Sequence, residues 1–187
     1  MNYKFLFLTA LLLIFVSCDN KKNSKQVSQS EPQSNVVRVP DFNADSAYNF
    51  VKKQLDFGPR VPGTMSHARC AEWFIDFFNK KADTVYVQDF RTRLYDGRGI
   101  DGKNIIAVFN PEAKKRMVLA AHWDSRPFAD HDPDEKNWNT PIDGANDGAS
   151  GVGIIMEIAR LLDENPVNIG VDMILFDLRL YQLAHQR

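Results

Sequence analysis

The chain opens on an apolar run from Phe5 to Val16, behind a single Lys, and then turns polar until Val36. The run is too short to span a bilayer comfortably and reads as the core of a signal peptide. Residues 19–40 are rich in Ser, Asn, Gln and Lys, with too little apolar bulk for a core, and read as a flexible tether. From Asn43 the pattern becomes helical: Ala47, Phe50, Val51 and Leu55 share a face behind an Asn cap, and Gly58-Pro59 ends the helix. After the turn residues Pro62-Gly63-Thr64, a second helix from about His67 to Lys81 aligns Cys70, Phe74, Phe77 and Phe78, with Trp73 at the edge of that face.

The period then shortens. Thr84-Val85-Tyr86-Val87 and Asn104-Ile105-Ile106-Ala107-Val108-Phe109 flank a Gly-rich, charged loop and predict an antiparallel pair. Met117–Ala121 and Met173–Phe176 are continuous apolar runs, the pattern of inner strands covered on both faces. Between them Val152, Ile155, Ile158, Ala159 and Leu162 recur at helical spacing over Ser150–Glu164. Strand, helix and strand make a βαβ unit, so the predicted class is α/β.

Composition narrows the function. With 23 Lys and Arg against 24 Asp and Glu, the chain has no global field to steer a polyanion, and no nucleic-acid partner is expected. Val16-Ser17-Cys18 resembles a bacterial lipobox, which implies that Cys18 is a lipidation site; a cleaved signal with an incidental Cys is the simpler alternative. The expected product is exported and anchored in a membrane through that lipid. Cys70 is then left without an intrachain partner, and its aromatic neighbours suit a buried, inert thiol.

The candidate chemistry lies where the apolar strands end. Ala121 runs into His122-Trp123-Asp124-Ser125, at the carboxyl end of a strand, where open α/β sheets bind ligands. Alternation puts His122 and Asp124 on the same side, so Asp124 is placed to orient the imidazole; a strand-end His merely capped by Asp is the simpler alternative. Further on, Asp143-Gly144-Ala145-Asn146-Asp147-Gly148-Ala149-Ser150-Gly151 leads into the helix. Small residues there allow tight turns, and Asp147 falls near the helix N-terminus, either as a metal ligand or only as a cap.

The ordered set His122-x-Asp124, Gly144-Ala145-x-Asp147-x-x-Ser150-Gly151 and a strand ending Phe176-Asp177 is similar to the core of family 28 of the metallopeptidases. That superfamily joins two-zinc aminopeptidases and single-zinc glutaminyl cyclases on a three-layer α/β/α fold with a mixed central sheet. Phe57-Gly58-Pro59-Arg60-Val61-Pro62-Gly63-Thr64 and His122-Trp123-Asp124-Ser125-Arg126 resemble the bacterial cyclase branch. The resemblance implies a zinc cofactor, peptide or protein N-termini as substrates, and conversion of N-terminal glutamine to pyroglutamate with release of ammonia. It makes Asp147 a zinc ligand, His122 a ligand of a second zinc in the aminopeptidase alternative or a pocket residue in a cyclase, and Asp124 the carboxylate behind that His.

The pattern departs after Asp177. The family follows this strand with an acidic pair, one member a general acid/base and the next a zinc ligand, and supplies a His ligand later; this chain continues Leu178-Arg179-Leu180-Tyr181. His185 is a poor substitute in a tail with no other recognisable element. The sequence therefore divides into a signal peptide over 1–17, a lipidated Cys and tether over 18–40, the N-terminal part of a catalytic domain over 41–177, and an aberrant tail over 178–187. A change of reading frame would account for the tail, since GCT GAG for Ala-Glu becomes CTG AGG for Leu-Arg one base along. The expectation is a truncated, incomplete and inactive member, with a non-catalytic surface lipoprotein that binds peptides or sugars as the rival reading. Gly148-Ala149-Ser150-Gly151-Val152 misses the last Gly of a serine-hydrolase elbow, and no Lys-Ser or Lys-Thr follows the glycines as in a phosphate loop. Asp130–Asp134 begins like a calcium loop, but Glu135 and Pro141 break it, so a solvated acidic loop is expected.

Overall fold

The structure is a computed structural model that describes residues 39–93 and 97–178. The signal peptide, the lipobox with Cys18, nearly all of the tether and His185 lie outside the described residues. The elements are α1 (Ala44–Asp56), α2 (Met65–Asn79), β1 (Thr84–Arg93), β2 (Gly99–Phe109), β3 (Arg116–His122), α3 (Ser150–Glu164) and β4 (Gly170–Phe176). The strands form one mixed sheet in the order β1-β2-β4-β3. β1 and β4 run antiparallel to β2, whereas β3 and β4 are parallel and joined through α3, the βαβ unit that the apolar pattern predicts.

Local chemistry explains where the helices start. Asn43 caps α1 by accepting from the Ser46 N–H at 2.9 Å, and the Thr64 hydroxyl accepts from the His67 N–H at 3.2 Å. Thr64 therefore starts α2 at Met65, ahead of the expected His67. The aromatic face of α2 supplies Phe74 and Phe78 to the core, and Phe77 meets Phe50 of α1 edge-on at 5.2 Å.

Strand alternation sorts the sheet into two faces. Ile105, Ala107, Phe109, Val171, Met173 and Leu175 enter a single core with residues of all three helices. On the other face Tyr86 and Val118 are 58% exposed and Phe176 is 43% exposed. Two expectations need correction here. Among the described residues the helices cover one face of the sheet, and β3 is an edge strand, so of the two runs expected as inner strands β4 alone is flanked on both sides. A continuous apolar run reports the demand for burial and does not identify the element that meets it. The charged stretch expected as a loop is largely strand as well, because Gln88–Arg93 pair with Gly99–Asn104 through the backbone, with Phe90 and Ile100 packed against Leu178.

Cys70 is buried, and burial pushes its thiol up to about 12, in keeping with an inert core residue. The Asp130–Asp134 stretch is a surface loop in which Asp132 accepts from the Asp134 N–H and Asp134 from the Lys136 N–H, so these carboxylates hold turns.

One buried charge ties α3 to α1. Glu157 accepts from the Asn43 N–H at 3.1 Å and pairs with Arg160 at 2.6 Å. The hydrogen bond from Arg160 holds its carboxyl below the ordinary value, against the opposing effect of burial. Because the folded pKa is the lower one, this stabilisation is complete above the unfolded value near 4.5 and is lost as pH falls through the folded value. The stability gap between wild type and Glu157→Gln, followed by urea unfolding, is expected to be flat from neutrality to about pH 5.5 and to narrow in acid. A gap that stays constant to pH 3 would place the effect elsewhere.

Candidate metal centre

The strand ends and the turn before α3 converge on one imidazole. His122, the last residue of β3, is 8% exposed. Its Nδ1 lies 3.3 Å from Asp124 Oδ1, and its Nε2 lies 3.1 Å from Asp147 Oδ1. The fully buried Asp124 thus stands behind the ring, as period-two alternation suggests, while the side chain of Asp147 is half exposed on the open side.

Asp147 is not the helix cap. The N-cap of α3 is Ala149, without a side-chain cap, and the hydrogen bond of the Asp147 carboxylate runs to His122. This follows from the backbone. Ala145–Ala149 form a kinked turn in which Asp147 is extended and Gly148 has φ +100° and ψ −63°, a conformation that suits only glycine. A Cβ on Gly148 would stand 3.0 Å from His122 Cε1, so the missing side chain lets the turn approach the ring.

The supporting contacts were not visible in the sequence. Trp123 is buried, stacks on His67 at 4.1 Å and donates its indole N–H to the Lys103 carbonyl. His67 Nε2 lies 3.0 Å from both carboxylate oxygens of Asp177, just beyond β4, and Asp177 also accepts from the Lys103 N–H at 2.8 Å. Gln54 donates to the Ala149 carbonyl from α1. Arg60 is buried, and burial lowers its guanidinium from the ordinary value while Cys70, Asp124 and Asp143 oppose that shift. The Phe57–Thr64 motif is the signal that marks Arg60; His67, Gln54 and Asp177 occupy positions that periodicity reads as ordinary helix and strand-end residues. An open cavity of about 410 Å³ lies at the strand ends, lined by Ala120, Ala121, His122, Phe176 and Asp177.

The donor set suits a borderline metal such as zinc in part. Two ligand atoms about 2.0–2.1 Å from a tetrahedral zinc stand about 3.3 Å apart, so the 3.1 Å between His122 Nε2 and Asp147 Oδ1 fits a pair sharing one ion. A catalytic zinc takes three protein ligands. Among the described residues no cluster of three or more His, Cys, Asp or Glu is placed to hold one.

The mixed four-stranded sheet with its three helices is an α/β fold that matches solved glutaminyl cyclases and zinc exopeptidases. Residues 104–178 match Peptidase family M28. The Tannerella forsythia glutaminyl cyclase structure is 48% identical with a TM-score of 0.75, over 76% of this chain and 49% of that one. A Zn-dependent exopeptidase from Parabacteroides distasonis is 49% identical with a TM-score of 0.75, over 77% of this chain and 49% of that one. The glutaminyl-peptide cyclotransferase of Drosophila melanogaster is 30% identical over 110 residues, 57% of this chain and 27% of that protein. The M28 resemblance read from the sequence stands, with bacterial glutaminyl cyclases as close structural neighbours. The chain spans about half the length of these solved relatives.

Proposed function

We propose that residues 41–177 form the N-terminal part of a glutaminyl cyclase site acting on peptide or protein N-termini. The observation that carries this reading is the His122–Asp147 pair at the strand ends with Asp124 behind it. Asp147 would hold zinc, and His122, kept in orientation by Asp124, would line the site or serve as a second ligand. When bound, the metal polarises the side-chain amide carbonyl of an N-terminal glutamine as a Lewis acid. Cyclisation also needs a group to move a proton from the attacking α-amine to the departing ammonia, and Leu178-Arg179 stand where the resemblance places the acidic pair that would do so. The 187-residue chain is accordingly proposed to be inactive.

The experiment compares this chain with a version carrying the family's acidic pair after Asp177 and its later His. Zinc content and ammonia release from glutaminyl peptides are measured for both. Little turnover is expected from the first, and pyroglutamate formation from the second. In the extended enzyme Asp147→Ala should remove zinc and activity together, whereas His122→Ala should leave zinc bound. Turnover by the 187-residue chain would refute its inactivity. The likeness to a zinc exopeptidase supports a second reading, an aminopeptidase. Loss of one of two zinc ions in His122→Ala, with free amino acids released from peptides, would establish it.

Export and anchoring through Cys18 belong to the same proposal and rest on the apolar run ending in Val16-Ser17-Cys18. The expressed chain should partition with membranes and incorporate labelled fatty acid, and Cys18→Ala should lose the label. Continued labelling of that variant would sink the lipoprotein reading.

A further inference from the structure

Arg60 has no part in the ligand set, yet it reaches both halves of the site. Its Nε donates to the Trp123 carbonyl at 2.9 Å, Nη1 to the Asp143 carbonyl at 2.9 Å and Nη2 to the Gly144 carbonyl at 3.0 Å. Its own carbonyl accepts from the Ser125 N–H at 3.1 Å. Trp123 and Ser125 flank Asp124, and Asp143-Gly144 begin the turn that carries Asp147. Each arm of one fork therefore holds a separate carbonyl, from segments far apart in sequence.

We propose that Arg60 is a positioning residue that fixes the Asp147 turn against the end of β3 and thereby sets the His122–Asp147 separation. The physical case rests on burial and on the shape of the guanidinium. A fully buried Arg side chain is retained only when its donors are satisfied, and carbonyl oxygens, unlike a carboxylate, leave its positive charge directed at the surrounding backbone. Three donors in a rigid plane fix three acceptors relative to one another, which a Lys ammonium on a flexible stem does not reproduce. Gly144 belongs to the same device: a Cβ there would stand 3.0 Å from Arg60 Nη2 and 2.8 Å from the Asp147 carbonyl. The consequence for the metal rests on the zinc reading above, but the positioning itself is measurable without metal.

The test uses the full chain with Arg60→Lys and Arg60→Met. Amide exchange is followed at residues 144–149 and in β2 and β4, together with the NOE between His122 Hε1 and the Gly148 Hα protons. Arg60→Lys is expected to speed exchange in the turn by about tenfold and weaken the NOE while strand protection stays within about twofold, as follows from loss of one or two buried hydrogen bonds. Arg60→Met should lose the NOE altogether; if it fails to fold, Arg60→Lys decides alone. An unchanged turn in Arg60→Lys, or an equal rise in turn and strands, would overturn the proposal. In the extended chain, zinc affinity is expected to fall by about tenfold in Arg60→Lys. An extended chain, carrying the acidic pair and later His of the preceding test, that takes up no zinc would refute the ligand reading, and the exchange and NOE results would still decide the role of Arg60.

Discussion

Asp177→Ala is expected to destabilise the fold by about 3 kcal/mol, because removing a buried acceptor leaves its donors unsatisfied at about 1–3 kcal/mol each. The Asp177 side chain is fully buried and that of His67 is 9% exposed, so water does not replace the lost partner freely. Three groups converge on that carboxylate: His67 Nε2, the Lys103 N–H and the Leu178 N–H. Alanine leaves all three without their acceptor in a closed space. The lost stability is a large part of the total for a domain of this size, so urea unfolding should shift well towards zero denaturant. Asp177→Asn keeps the shape and one acceptor oxygen and should cost less. A change below about 1 kcal/mol for the alanine variant would mean that the contact is no better than an exposed one.

Gly148→Ala carries the second large effect, and it acts on the site more than on the core. The backbone at φ +100° admits an L side chain only with strain of about 1–3 kcal/mol. The new methyl group would meet His122 Cε1 at 3.0 Å and the Asp124 carbonyl at 3.1 Å, neither of which is a flexible side-chain end. The turn must therefore retreat from the ring, opening the 3.1 Å contact between His122 and Asp147. Urea unfolding reads the strain, and the NOE between His122 Hε1 and the protons of residue 148 reads the displacement. Wild-type stability with the NOE intact would show that the turn tolerates the methyl group where it stands.

These contacts also mark the limit of what the residues reveal in order. α3 is legible because Val152, Ile155, Ala159 and Leu162 must share a face, and the structure places it over Ser150–Glu164 as read. The pairing of His122 with Asp124 is legible because alternation is local. Asp147 was legible as a candidate through its company, but not its partner: the turn that carries it is bent by Gly148 onto a ring 25 residues away in sequence. The full length of β1 and β2 was hidden because Gln88–Arg93 pair through the backbone, and all of their side chains but Phe90 are polar. Gln54 and His67 were hidden for the opposite reason, since long-range bonds compensate polar groups in places where patterning expects none, whereas Arg60 stood in a marked motif without its partners.

The strand order has a consequence for how the chain folds as it is made. β4 lies between β2 and β3, so these earlier strands do not pair with each other and share only the segment Gly170–Phe176 as their common neighbour. During vectorial synthesis the β1–β2 hairpin can close on local contacts alone, whereas β3 has no partner among the described strands until that segment leaves the ribosome. Until then the apolar stretch Met117–Ala121 carries an unsatisfied backbone edge, the kind of surface that nascent chains leave to chaperones. Arrival of β4 therefore does two things at once: it joins β3 to the β1–β2 pair and brings Asp177 to His67, so the last of the described strands to be made also locks the site's framework.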